Sequence, residues 1–277
     1  MISHCIAGRV AMPLCSILIL LAAASTAAAR EKKDETKQTY HLDEVYPIAP
    51  DGTLLLVTED ADVEIIGSDR SDVHVVVDHT LYVRGVVLRA DSTPFEMEVV
   101  AEKGNLSIRQ VGGDYSVGMI FGSVREDYRV LIEAPKSVNL NLRGDDDDYK
   151  IRGMEGELRL RFEDGDARIV SYKGEHVEVE CEDGSVEIEG GSGLLEGYSE
   201  DGEITVEEGT YREMDLSCED GDLEIENALA DDGTYSLRTE DGDIRFTVLS
   251  GGGTFRATFE DGGARADSRF GKVDEDD

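Results

Sequence analysis

The chain has 277 residues and a formal net charge of −35 at pH 7, from 62 acidic and 27 basic residues. This charge excludes a nucleic-acid partner, because binding to phosphate groups requires a basic patch. An anionic membrane surface is disfavoured for the same reason. The length is sufficient for one large domain or two small ones.

The first 29 residues have the pattern of a secretory signal peptide. Arg9 supplies positive charge, residues 14–24 are apolar, and three alanines at 27–29 form a small-residue cleavage site. We therefore predict a signal peptide at 1–29 and no integral membrane segment after its cleavage. Loss of Arg9 brings the net charge to −36. The protein is expected to be exported to the periplasm, the cell surface or the medium of a bacterium.

The next part of the chain has little regularity. Residues 30–41 are charged and poor in apolar side chains, which predicts a mobile linker. Residues 42–144 contain short alternating segments typical of strands, and Glu59 to Asp62 resembles a degenerate copy of the repeat described below. The glycine-rich segment 112–124 predicts a loop or long hairpin, with an exposed apolar tip that touches a partner as the alternative.

One phrase, Glu-Asp-Gly plus a fourth residue, occurs six times between residues 145 and 266. Its leading glutamates are 19, 18, 19, 21 and 20 residues apart. A fixed period near 20 residues is the signature of a repeat architecture. The six leading positions are Glu163, Glu182, Glu200, Glu219, Glu240 and Glu260.

Apolar and polar residues alternate strictly on both sides of every phrase, which predicts strands with one buried face. Asp-Gly at the junction is a turn signal. The phrase could be the tip of a two-residue hairpin in a meander or sandwich, or the corner of a coil that stacks on the next coil. Because like residues recur in one register, we predict an all-β, single-domain β-solenoid over residues 42–266, with two-strand coils of about 20 residues.

Two cysteines, Cys181 and Cys218, remain after signal cleavage and occupy the same register two repeats apart. In stacked coils their Cα atoms would be about 9.6 Å apart, twice the strand spacing. A disulfide requires less than about 7 Å. The sequence therefore predicts two buried free thiols.

The segment Tyr128 to Leu142, with a Pro-Lys-Ser turn at its centre, leads into Tyr149 to Leu158 and then into the Gly-Asp cycles. This order over residues 50–266 resembles the bacterial putative-adhesin domain family of unknown function. The resemblance implies a β-solenoid-like fold and an exported or envelope-attached protein, and it supplies no catalytic residues. Members more often carry Ser-Asn-Gly or Ser-Gly where this chain has Glu-Asp-Gly.

The stacked phrases predict a ladder of carboxylates. Like charges about 4.8 Å apart repel by roughly 0.9 kcal/mol per pair even in water. Calcium, which prefers oxygen ligands, could offset this repulsion; otherwise the ladder is a solvated acidic surface. No loop matches a known calcium motif. The candidate Ca²⁺ ladder comprises Asp164, Asp183, Asp201, Asp220, Asp241 and Asp261.

The sequence shows no catalytic constellation. His41, His74, His79 and His176 lack metal-ligand spacing, and both cysteines are predicted to be buried. We therefore predict a non-enzymatic, adhesin-like structural or interaction protein with no cofactor, which presents its acidic repeat face to an unknown protein or envelope partner. A Ca²⁺-stabilised extracellular binding module and a glycan-active solenoid enzyme are the alternatives. Residues 267–277 are predicted to be a disordered acidic tail.

Overall fold

A computed structural model describes residues 34–265. The predicted signal peptide and the acidic tail lie outside this range. Within it the chain forms strands and no helix. The strands are β1 (Asp34–Pro47), β2 (Thr53–Val57), β3 (Asp62–Ser68), β4 (Asp72–Ser92), β5 (Glu96–Glu102), β6 (Asn105–Val111), β7 (Tyr115–Pro135), β8 (Asn139–Arg143), β9 (Asp148–Arg152), β10 (Leu158–Val170), β11 (His176–Glu189), β12 (Ser192–Asp201), β13 (Ile204–Asp220), β14 (Leu223–Leu229), β15 (Thr234–Gly251) and β16 (Thr254–Arg265).

The repeats form a β-solenoid, and the hairpin alternative is wrong. From β8 onward each strand pairs in parallel with the equivalent strand one coil away. A hairpin meander would give antiparallel pairs between consecutive strands. The pairing stays in register through the corner phrase, so that Asp164 lies beside Asp183 and Gly165 beside Gly184.

The first coil consists of β2 and β3, and each of these strands has a pairing partner on both sides. The sequence did not predict this arrangement. Strand β2 pairs in parallel with β6 on one side and with β8 on the other. Strand β3 lies in the same way between β7 and β9. The segment 59–62 between β2 and β3 is thus the corner of a true coil, as its resemblance to the repeat phrase indicated.

Long antiparallel strands extend the sheet at the N-terminal end. Strand β4 pairs with β7 over most of the length of both, and β1 pairs with β4 from Asp34 to Pro47. The linker prediction is therefore wrong for residues 34–41. Charged residues are compatible with a strand there, because β1 at the edge of the sheet satisfies its backbone on β4 and leaves Lys37 exposed to water. The glycine-rich segment contributes to β7, and Phe121 on it is 57% exposed.

The core is a continuous column of apolar side chains inside the coils, as the alternation predicted. The inward residues before and after each corner from Leu158 to Phe246 are buried, with only Gly197 partly accessible. Cys181, Ser199 and Cys218 are stacked in one column, and both thiols are free and buried. Burial raises the pKa of both, that of Cys218 to about 12, so neither is a thiolate at neutral pH.

The corner glycines are required by the stacking itself. A Cβ atom on Gly184 would overlap the carbonyl oxygen of Gly165, and one on Gly202 would overlap that of Gly184. The same relationship continues at Gly221 and Gly242. Glycine therefore recurs in the phrase because successive corners pack backbone against backbone.

Candidate functional site

The corner phrases form a column of acidic residues along one edge of the solenoid. Parallel register places the ladder aspartates one above the other, and Asp146 continues the column at its N-terminal end through a bridge to Asp164. The side chains from Asp164 to Asp241 that the structure describes are exposed; for Asp261 only the backbone register is available. The sequence therefore predicted the alignment of this corner column correctly, whereas ion binding by it stays a prediction.

Neighbouring coils perturb one another electrostatically along the corner column. A hydrogen bond and the charge of Asp145 raise the pKa of Glu163, and Glu182 adds to this. The charge of Glu219 is the largest cause of the raised pKa of Glu200. Both shifts have the sign expected for carboxylates that repel one another. The negative charge of the corner column thus makes these two glutamates easier to protonate.

The fourth residue of the phrase has a structural role instead. The Oδ1 atom of Asp148 accepts the backbone N–H of Asp166 at 3.0 Å, and Oδ1 of Asp166 accepts that of Ser185 at 3.2 Å. Asp222 accepts the N–H of Asp243 in the same way at 2.8 Å. These carboxylates accept backbone N–H groups of the next coil, so Asp166 and Asp222 at the fourth position of their phrases are explained without a ligand.

Arginines neutralise part of the acidic surface on the flat sides of the coils. Arg159 donates to Glu178 at 2.6 Å, and Arg161 bridges Glu178 and Glu180. Although partial burial raises the pKa of Glu178, the hydrogen bonds from the two arginines lower it overall. Beyond the corner, still on β10, Arg168 contacts Glu187 and Glu189.

A shallow acidic groove of about 220 Å³ crosses the outer side of β11, β12 and β13. The hydroxyl of Tyr198, in its wall, donates to Glu219 at 2.6 Å, and this hydrogen bond is the main reason that the pKa of Tyr198 rises to about 12. Sequence reasoning missed the groove, since its residues meet only across coils. Its polar lining consists of Glu178, Glu180, Glu196, Tyr198, Asp215 and Ser217.

Fold and surface together define an all-β solenoid protein with an acidic corner column. The profile of the Toastrack DUF4097 family matches residues 53–277. The chain therefore belongs to this family, whose function is unknown, and the resemblance proposed from the sequence is confirmed.

Solved structures with similar folds carry names that refer to adhesion or lipid binding. A putative adhesin from Parabacteroides distasonis has a TM-score of 0.44 and 11% identity, over 84% of this chain and 98% of its own. A putative adhesin from Bacteroides fragilis has a TM-score of 0.37 and 12% identity, over 83% and 98%. A putative lipid binding protein from P. distasonis has a TM-score of 0.33 and 12% identity, over 83% and 95%. No curated protein matches the chain. Across residues 34–265, no helix has the length and apolar character needed to cross a membrane.

Proposed function

We propose that this protein is a non-enzymatic, exported interaction module that presents its acidic corner column to a cationic partner in the bacterial envelope or outside the cell. The observation that carries the proposal is the unbroken in-register alignment of exposed carboxylates from Asp146 to Asp241. Strand pairing holds these groups at a fixed repeat of about 4.8 Å, so the column is a rigid linear array of charge.

A rigid array suits binding to an extended, positively charged molecule. The long-range field of many like charges attracts a cationic partner and raises its association rate. The array loses no backbone entropy on binding, because the coils are already ordered. The adhesin-like names of the structural neighbours agree with a binding role for this class of protein.

Binding of a defined polycation tests the proposal. Poly-L-lysine is flowed over the immobilised chain in about 0.15 M salt, and heparin serves as the polyanion control. A variant with Asp183→Asn, Asp201→Asn and Asp220→Asn neutralises the corner column. The matched variant with Glu96→Gln, Glu98→Gln and Glu102→Gln removes equal charge from exposed positions on β5.

We expect the column variant to bind poly-L-lysine at least about tenfold more weakly than the β5 variant, as is typical of steering by a localised field. Equal weakening by the two variants would mean that total charge, rather than the corner column, attracts the probe. That result would overturn the proposal.

A second candidate, a Ca²⁺-stabilised extracellular module, rests on the raised pKa values of Glu163 and Glu200. A divalent cation shared by adjacent coils would relieve the repulsion behind these shifts. Thermal melts with millimolar Ca²⁺, or with sodium at equal ionic strength, separate binding from screening. A melting temperature raised by Ca²⁺ alone, and no longer raised in the column variant, would support this candidate; equal effects of the two salts would reject it.

A further inference from the structure

We propose that His176, Glu178 and Glu196 form a zinc-binding site on the outer side of the solenoid. One ligand atom from each of these side chains lies within 4.8 Å of the others. The site is separate from the corner column, because it lies on the flat side where β11 meets β12. The proposal does not depend on the proposed interaction function.

The coil geometry brings the three residues together. His176 and Glu178 are two positions apart on β11 and therefore point to the same side of the strand. Glu196 on β12 is the register partner of Glu178, one coil further along. In the sequence, His176 and Glu196 are 20 residues apart, so their proximity becomes visible only when the coils are stacked.

The three side chains lie close to one another without a bound metal ion. The Nε2 atom of His176 lies 2.8 Å from Oε2 of Glu196. Glu178 is only 16% exposed and is fixed by Arg159 at 2.6 Å and by Arg161 at 3.0 Å. Metal-binding carboxylates are commonly oriented by such outer hydrogen bonds.

The donor set selects the metal. One imidazole nitrogen with carboxylate oxygens suits zinc, whereas calcium and magnesium prefer oxygen ligands alone. Zinc binds nitrogen and oxygen at about 2.0–2.2 Å, so the three ligand atoms must approach to within about 4 Å of one another. Ligand atoms that lie up to 4.8 Å apart must therefore move about 0.8 Å closer when the ion binds.

The acidic groove supplies the open side of the site. Glu178 and Glu196 line the groove as well as the proposed site, so a bound ion would face its interior. A fourth ligand, either water or a side chain of a bound molecule, would complete the tetrahedral coordination that zinc prefers. The nearby carboxylate of Asp215 adds attraction for a cation.

Calorimetric titration of the protein with Zn²⁺ tests the site. The chain carries no histidine tag, and millimolar Ca²⁺ is present throughout to occupy carboxylate-only sites. His176→Ala removes the nitrogen ligand, and Glu196→Gln removes one charge with little change of shape. The matched control is His41→Ala, because His41 pairs with Asp78 at 2.7 Å on β1 and β4 and belongs to no cluster of three ligands among residues 34–265.

We expect one Zn²⁺ per chain, with affinity reduced at least about tenfold in His176→Ala and in Glu196→Gln and unchanged in His41→Ala. Zn²⁺ should also raise the melting temperature of the wild type but not of His176→Ala. Unchanged affinity in His176→Ala, an equal loss in His41→Ala, or no Zn²⁺ binding in the presence of Ca²⁺ would each overturn the proposal. Melts of all variants without metal confirm that they remain folded.

Discussion

The Oδ2 atom of Asp147 accepts the hydroxyl hydrogen of Thr58 at 2.8 Å and so connects two adjacent coils through a buried carboxylate. The same oxygen accepts the hydroxyl of Tyr149 at 3.0 Å, and Oδ1 accepts the backbone N–H of Ala61 at 2.5 Å. Asp147 is fully buried. Its three donors reduce the cost of burying a carboxylate but do not remove it.

Asp147 is therefore predicted to make folding stability depend on pH. Burial raises its pKa to about 6, although the three hydrogen bonds lower it; the unfolded value is about 3.9. A raised folded pKa stabilises the protonated native state. The stabilisation is complete below the unfolded pKa and is lost as the pH rises through about 6.

The substitution Asp147→Asn should remove this dependence, since an amide keeps the shape and Thr58 and Tyr149 can accept its hydrogens as well as donate. Relative to the wild type, the variant should gain up to about 3 kcal/mol between pH 4 and pH 7.5. Urea unfolding at both pH values measures this difference. The control, Asp146→Asn, changes the exposed neighbour. If both variants show the same pH dependence, the titration does not originate at Asp147.

The glycine at each corner is predicted to be irreplaceable where coils stack. Gly202→Ala would place a methyl group against the carbonyl oxygen of Gly184, and relief requires movement of the backbone. We expect a loss of about 2 kcal/mol or more in the free energy of unfolding. Gly252→Ala is the matched control, because a Cβ atom there meets nothing within 4 Å. A loss at Gly202 no greater than at Gly252 would contradict the packing explanation.

The opposite corner contains a column of left-handed residues in which two are not glycine. Gly153 and Gly190 have φ of 67° and 72°, whereas Ser171 and Glu208 have φ of 53° and 52°. A side chain in this conformation costs about 1–2 kcal/mol. Glycine relieves this strain, but its greater freedom in the unfolded chain opposes part of the gain. We therefore expect Glu208→Gly to stabilise the protein by a net amount of about 0.5–1 kcal/mol.

The reciprocal change, Gly190→Ala, should destabilise by about 1 kcal/mol even though a Cβ atom there would make only ordinary contacts, the nearest with Cα of Ser171 at 3.8 Å. Thermal denaturation of both variants measures the two shifts. Stabilisation by both, or destabilisation by both, would show that the backbone angle is not what determines stability at this corner.

The alternation of buried and exposed positions can be tested with one new residue at two neighbouring sites. Ile204 is buried, and Thr205 beside it lies outside, between Glu187 and Glu224 in adjacent coils. Ile204→Lys should cost more than about 4 kcal/mol, because it buries an unpaired charge. Thr205→Lys should change stability by less than about 1 kcal/mol, since the new charge lies between two carboxylates. Similar melting temperatures for the two variants would refute the assignment of the faces.

Much of the repeat region could be predicted from the sequence because local and long-range signals coincide there. The alternation around Cys181 and Cys218 fixes which side is buried, and the constant spacing fixes which residues stack. The free state of the thiols followed directly from that register. These inferences need only the period of the strand and the distance between strands.

The N-terminal part could not be predicted in the same way. Strand β1 has a charged sequence, and its partner β4 begins 25 residues after β1 ends. The position of β2 between β6 and β8 likewise depends on pairing over long separations in sequence. His176 shows no metal-ligand spacing in the sequence, because Glu196, which it meets across a coil, is separated from it by the length of the repeat. Contacts of this kind become visible only after the register of the coils is known.

The uniform register has a consequence for how the molecule can vary in length. Asp183 and Asp201 occupy equivalent positions one coil apart, so a cut at one and a join at the other would leave every remaining column aligned. Removal of such a unit would shorten the solenoid by one strand spacing, about 4.8 Å, without changing the environment of most residues. The length of the solenoid is thus set in whole steps by the number of its repeats.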